Sequence, residues 1–202
     1  MLSVFMDDLS RFNQVCKKLG GRNLYLVGMM GSGKSRTGPV LAKKLSYGFV
    51  DVDDVIEKVT NQSISEIFDQ EGEIGFREIE TQILQEIGQR HSLVVATGGG
   101  IVTRPENWGI LHQGVVIWID LDREIALSRL RSDETPRPLL QKNLDDNFDC
   151  LFKERLPIYL ESDVHLSVRE ESPDDVAIGI CTNLQLLLLK DEGLDGRQTI
   201  EE

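Results

Sequence analysis

Five short apolar runs punctuate the chain: Leu24–Val27, Phe49–Val50, Leu93–Ala96, Val115–Ile119 and Val164–Val168. Each ends in a Gly-rich or charged turn, the signature of a strand. Segments with helical spacing alternate with them, over Lys34–Leu45, Ile64–Phe68 leading into Gly75–Ile87, Arg123–Arg131, Asp145–Arg155 and Asp174–Leu189. Strands that are apolar nearly throughout, rather than alternating, predict a parallel sheet buried on both faces, and hence a three-layer α/β/α domain. Ahead of the first strand, Leu2, Phe5, Met6, Leu9, Phe12, Val15, Cys16 and Leu19 form one helical stripe, which predicts a docked N-terminal helix. The chain thus divides into a helical extension over residues 1–22, a domain over 23–190 and an acidic tail over 191–202. The tail has little to bury and is expected to be disordered. Ser132–Asp146, with two prolines and several charges between two helices, has the length and composition of a functional lid.

Composition narrows the partners. The 202 residues hold 22 Lys+Arg and 34 Asp+Glu, a net charge of −12, which disfavours nucleic acid and anionic membrane surfaces but not a small anion. The last 42 residues contribute eleven acidic and three basic side chains, so most of the excess is confined to the C-terminal end. The longest apolar run is strand-sized, too short for a membrane span. Asp7 and Asp8 interrupt the region where a signal peptide would be apolar. Three widely spaced cysteines, Cys16, Cys150 and Cys181, have no metal-ligand or disulfide spacing and are expected to be reduced thiols of a cytoplasmic protein.

The most specific signal is Gly28-Met29-Met30-Gly31-Ser32-Gly33-Lys34-Ser35, a full G-x-x-x-x-G-K-[ST] match between a strand and a helix. Its glycines let successive backbone N–H groups converge at a helix N-terminus, where they bind polyphosphate. Lys34 then neutralises the β/γ-phosphates, and the Ser35 hydroxyl is the expected Mg²⁺ ligand. Gly31, Ser32, Gly33 and Arg36 complete the nucleotide-binding candidates, Met29 and Met30 being non-polar fillers.

A phosphate loop alone says only that a nucleotide binds. No N-K-x-D motif of a GTPase occurs, and no H-R-D or D-F-G of a protein kinase. Downstream stand Asp51-Val52-Asp53 at the end of the second strand, Phe76-Arg77-Glu78-Ile79-Glu80 on a helix, Gly98-Gly99-Gly100 after the third strand, Arg137-Pro138-Leu139-Leu140 in the expected lid, and Arg155-Leu156-Pro157-Ile158-Tyr159. In order and spacing these blocks resemble the shikimate kinases, a branch of the nucleoside-monophosphate-kinase-like phosphate-loop kinases. The resemblance spans about Asn23 to Leu189.

The resemblance implies a five-stranded sheet of order 2-3-1-4-5 and transfer of phosphate from ATP to the 3-hydroxyl of shikimate, on the route to chorismate. It implies that Asp51 holds Mg²⁺ through water, and that Asp53 binds the shikimate hydroxyls and positions or deprotonates the attacking one. Arg77 and Arg155 would grip the shikimate carboxylate beside the backbone of Gly98, Gly99 and Gly100. Arg137 would reach the ATP phosphates, and either Arg129 or Arg131 would stack near adenine. Arg36 and Pro39 depart from the small or β-branched residues of the family. Monomeric action is expected. The residue types suit these roles, planar bidentate cations facing a carboxylate and a carboxylate facing hydroxyl protons. An Asp at its ordinary pKa, about 3.9, is a weak base, so Asp53 is expected mainly to orient the hydroxyl and take its proton late.

Plainer readings stand beside these. Asp51 or Asp53 could cap the helix running toward Glu57. Arg77 could simply pair with Glu73, Glu78 or Glu80, and the triple glycine could simply end a strand. Trp108 and Trp118 read as packing, and His91, His112 and His165 have no metal or nucleophile spacing. Two rival functions remain: a kinase for another small acceptor such as gluconate, and a kinase-like binding module without catalysis, against which the retention of Lys34, Asp51, Asp53, Arg77, Arg137 and Arg155 speaks.

Overall fold

The computed structural model describes residues 2–133, 139 and 143–191. Strands β1 (Leu24–Val27), β2 (Gly48–Asp51), β3 (Leu93–Ala96), β4 (Val115–Leu121) and β5 (Val164–Val168) form one sheet of order β2-β3-β1-β4-β5. Every neighbouring pair is parallel. All four residues of β1 and six of the seven in β4 are buried, because these inner strands are covered on both faces. The edge strand β5 buries only Val164 and Val168.

Helices α2 (Lys34–Leu45), α3 (Val52–Thr60), α4 (Ile64–Gly88), α5 (Pro105–Leu111), α6 (Arg123–Ser132), α7 (Leu144–Tyr159) and α8 (Pro173–Asp191) complete the domain, with α1 (Leu2–Leu19) ahead of β1. Phe12, Val15 and Leu19 are buried where α1 packs against α8 and α2, and Arg11 donates to Thr182 Oγ1 at 3.2 Å. The two helical runs read between Ile64 and Ile87 form one element, bent at Gly72, whose φ of 68° and ψ of −176° no helix contains. A reciprocal capping box between Ser63 and Glu66 starts it. Helix α7 continues past the expected end at Arg155, through Pro157, because Tyr159 is fully buried in the core. The seven-residue α5, which begins at Pro105, is too short for its periodicity to show in sequence. Of the expected lid, Arg137 and most neighbours lie outside the described residues, as does the tail beyond Asp191. Among the described residues, no helix is long and apolar enough to cross a membrane.

Helix α2 packs closely on the sheet at β2. A side chain on Gly38 of α2 would run into the ring of Phe49 on β2, whereas Gly109 of α5 faces open space. Gly38→Ala is therefore expected to overpack this contact and cost about 1–3 kcal/mol, lowering Tm by about 3–10 °C. Gly109→Ala should leave Tm unchanged or raise it slightly through helix propensity. Thermal unfolding of both variants checks the pair, and equal effects would contradict it.

Candidate active site

The phosphate loop is built by backbone geometry. After β1 the chain turns through Gly28, where φ is 140° and a Cβ would lie 2.5 Å from the Ile119 carbonyl oxygen. Only glycine fits there. Gly33, at φ 93°, then opens α2 without any side-chain cap, so the first amides of the helix keep their donors for a ligand. Lys34 is 7% exposed, and its Nζ donates to the carbonyls of Gly28 (2.8 Å) and Met29 (3.0 Å) and to Ser32 Oγ (3.2 Å). The cation thus lies across the mouth of the loop. Met29 is buried as filler, while Ser35 and Arg36 are exposed.

Structure separates the two candidate arginines of α6. Arg129 Nη1 donates to the Gly31 carbonyl at 3.2 Å and Nη2 to that of Arg169 at 3.4 Å, which places its guanidinium on the loop. Arg131 instead pairs with Asp145 of α7 at 2.7 Å.

The second half of the site forms at the carboxyl ends of β2 and β3, where open α/β folds place ligands. Asp51 ends β2 and caps α3, its Oδ1 accepting from the Asp53 amide at 3.1 Å. The capping reading and the position at the sheet's ligand edge are both met by this one residue. Beyond the bend in α4, Arg77 Nη1 pairs with Glu80 Oε2 at 2.7 Å and Nη2 with Glu73 Oε1 at 3.3 Å. Arg77, Glu80 and Arg155 are 8%, 0% and 2% exposed.

These groups converge on the triple glycine. A side chain on Gly98 would strike Glu80 Oε1 and lie 3.2 Å from Asp53 Oδ1; one on Gly99 would lie 3.4 Å from Arg155 Nη1; one on Gly100 would strike the Arg77 guanidinium. The run does more than end β3: its missing Cβ atoms are the space the charged groups occupy. Among the described residues, Arg77 Nε, Glu80 Oε1 and Arg155 Nη1 are buried without a hydrogen-bond partner. Buried polar groups left open in this way call for a partner such as water or a ligand. Glu80 is the site residue that sequence reading missed, entering only as a partner for Arg77. Its signal is the i,i+3 spacing on one helix face.

The electrostatics change the expectation for Asp53. Burial, then Asp51, then Glu80 raise its pKa from 3.8 to about 6, against the pull of Lys34 and Arg77. A carboxylate tuned this way is a far better base than an ordinary Asp. Burial likewise pushes Glu80 up, opposed by Arg77 and Arg155.

For Mg²⁺, the donor set is a hydroxyl on α2, Ser35, and a carboxylate, Asp51, one of whose oxygens is spent on the α3 cap. Two hard oxygen donors fit a cation that keeps several waters and arrives with phosphates. Among the described residues no cluster of three or more metal-ligating side chains occurs. A cavity of about 520 Å³ also opens between the ends of β4 and β5 and helix α7, walled by Met29, Trp118, Phe148 and Phe152. It includes none of Lys34, Asp53, Arg77 or Arg155.

A phosphate loop on a 2-3-1-4-5 parallel sheet, with a buried charged cleft across the strand ends from it, defines a phosphate-loop kinase. The family profile for shikimate kinase matches residues 30–185. A shikimate kinase of Prochlorococcus marinus (strain NATL2A) is 57% identical over 92% of this chain and 94% of its own. A solved shikimate kinase from Acinetobacter baumannii in complex with shikimate superposes with a TM-score of 0.80 at 38% identity, covering 87% of this chain and 98% of that one. The chain belongs to the shikimate kinase family. A gluconokinase from Sinorhizobium meliloti, at 13% identity and a TM-score of 0.51, shares the fold alone.

Because the folded pKa of Asp53 is raised, the proton it holds favours the folded state at low pH, and that contribution is lost as pH rises through about 6. Asp53→Asn is therefore expected to stabilise the protein at pH 8, with a ceiling of about 3 kcal/mol, and to do so no longer below pH 4. Denaturant unfolding at the two pH values measures this. A variant destabilised at pH 8 would contradict the electrostatic assignment.

Proposed function

We propose that this member of the shikimate kinase family transfers the γ-phosphoryl group of ATP to the 3-hydroxyl of shikimate with a clear division of labour among its residues. The loop amides and Lys34 hold the β- and γ-phosphates, Arg129 lies against the nucleotide, and Arg137 reaches the phosphates from the lid. Arg77 and Arg155 bind the shikimate carboxylate, each offering an N–H that has no partner among the described residues. The backbone of Gly98–Gly100 contacts the same substrate, and Asp53 accepts a hydrogen bond from its 3-hydroxyl. As the hydroxyl oxygen bonds to the γ-phosphorus, the bond to the ADP oxygen breaks and the hydroxyl proton passes to the Asp53 carboxylate. Products are shikimate 3-phosphate, ADP and a proton on Asp53 that is later released to water. Mg²⁺, held by Ser35 and through water by Asp51, neutralises phosphate charge when bound. The reading takes the enzyme as a cytoplasmic monomer. Cys16, Cys150 and Cys181 form no disulfide among the described residues, which suits a reducing compartment.

The observation that carries this reading is the convergence of Arg77, Glu80, Arg155 and Asp53 on Gly98–Gly100, with bonding capacity left open. A coupled ADP-release assay with shikimate, gluconate and nucleoside monophosphates tests it. Turnover of shikimate alone is expected, and turnover of gluconate in its place would overturn it. With the ionised Asp53 required, kcat/KM should fall as pH drops through about 6, the acid limb reporting the free enzyme. Asp53→Asn should lower kcat by about 10²–10⁴-fold and remove that limb. Retention of the limb in the variant would assign it to another group.

A further inference from the structure

Arg155 enters the cleft from α7 almost wholly buried, with Nη1 beside Gly99 and without a partner among the described residues. A long guanidinium side chain keeps such an aim only if its other contacts fix it. One turn further along the same helix face stands Tyr159. Its ring is fully buried, and its hydroxyl donates to the Gly99 carbonyl at 2.8 Å. The Arg155 guanidinium lies near enough to the same oxygen to favour its ionised form, and its Nη1 is 3.4 Å from where a Cβ on Gly99 would stand. The phenol oxygen and the arginine of α7 therefore meet at the same glycine turn after β3.

The ring itself cannot drift. It stacks on Trp118 of β4 at 5.5 Å and 18°, and Trp118 stacks in turn on His165 of β5 at 4.1 Å and 12°. His165 Nε2 is held by Asp120 Oδ2 at 2.9 Å. Tyr159 thus has an apolar body locked against the sheet and a polar tip at the cleft, the arrangement in which a buried tyrosine fixes direction as well as volume. Burial raises its pKa to about 12, so it remains a donor throughout the working range.

We propose that Tyr159 is a positioning residue for carboxylate recognition: its hydroxyl keeps Arg155 and the Gly99 backbone in register, so that a substrate carboxylate meets both. The inference rests on the reading of shikimate as substrate. Without the hydroxyl, the Gly99 carbonyl loses its donor, and the turn against which Arg155 packs loses its anchor. The phosphate loop, Asp51 and Asp53 sit on other elements and are left as they were.

Tyr159→Phe keeps the ring and its stack while deleting the tether. The expected result is a shikimate KM raised about 5–20-fold, with kcat and the ATP KM within about twofold of the parent. Shikimate carboxamide, the neutral analogue, should bind both proteins within about twofold, so discrimination between acid and amide shrinks. In an Arg155→Lys background Tyr159→Phe should add little, because Tyr159 acts through Arg155. An unchanged shikimate KM, equal weakening of acid and amide, or full additivity with Arg155→Lys would overturn the proposal. Should Tyr159→Phe melt too low for assay, Trp118→Phe loosens the stack with the hydroxyl kept. It is then expected to raise the shikimate KM about 2–5-fold with the ATP KM unmoved, and any other pattern counts against the proposal. A parent enzyme that fails to turn over shikimate refutes the functional reading instead, so the two failures are distinguishable.

Discussion

Charge buried with bonding capacity left unspent governs this molecule. Each ion taken from water costs several kcal/mol, and only close pairing offsets that cost. Arg77 and Glu80 meet at 2.7 Å in the interior, yet among the described residues Arg77 Nε and Glu80 Oε1 remain without partners, as does Nη1 of the buried Arg155. An arrangement of this kind is poor for stability and suited to binding, because a ligand with a carboxylate and hydroxyls would complete it. The parallel sheet makes it possible by bringing the ends of β2 and β3 together. The absent Cβ atoms of Gly98–Gly100 supply the volume.

In the proposed reaction the same cleft links binding to chemistry through Asp53. Its carboxylate feels Lys34 of the phosphate loop and Arg77 of α4, while Asp51 and Glu80 oppose its ionisation. Neither half of the site sets its basicity alone. A group balanced in this way suits a kinase, in which the proton must leave the acceptor hydroxyl as the phosphoryl group arrives, and in which positioning and charge neutralisation do most of the work.

Much of the architecture is legible in local sequence. The Leu24–Val27, Leu93–Ala96 and Val164–Val168 runs are strands to the residue, because flanking turns limit them as sharply as apolar content does. The phosphate loop is legible because its glycines are required by backbone geometry at Gly28 and Gly33, independent of tertiary context. Features set by long-range packing are not. Helix α7 passes Pro157 only because Tyr159 finds a place beside Trp118, and no local rule predicts that. Arg129 and Arg131, equivalent in sequence, part company through the Gly31 carbonyl and Asp145, which hold one at the phosphate loop and the other against α7. Glu80 is hidden as an ordinary helix-surface partner until burial shows it fully enclosed. The basicity of Asp53 is a property of four charged neighbours and solvent exclusion, and it cannot be read from the residue itself.

The folded cleft, and not the chemistry of an isolated side chain, sets the protonation of Asp53. Carboxyl-carbon NMR of the free enzyme, with Asp53 assigned by its absence from the Asp53→Asn spectrum, follows that protonation directly. A titration midpoint near pH 6 is expected. A midpoint of about 4, the value of an unperturbed aspartate, would show that the cleft leaves the carboxyl untuned.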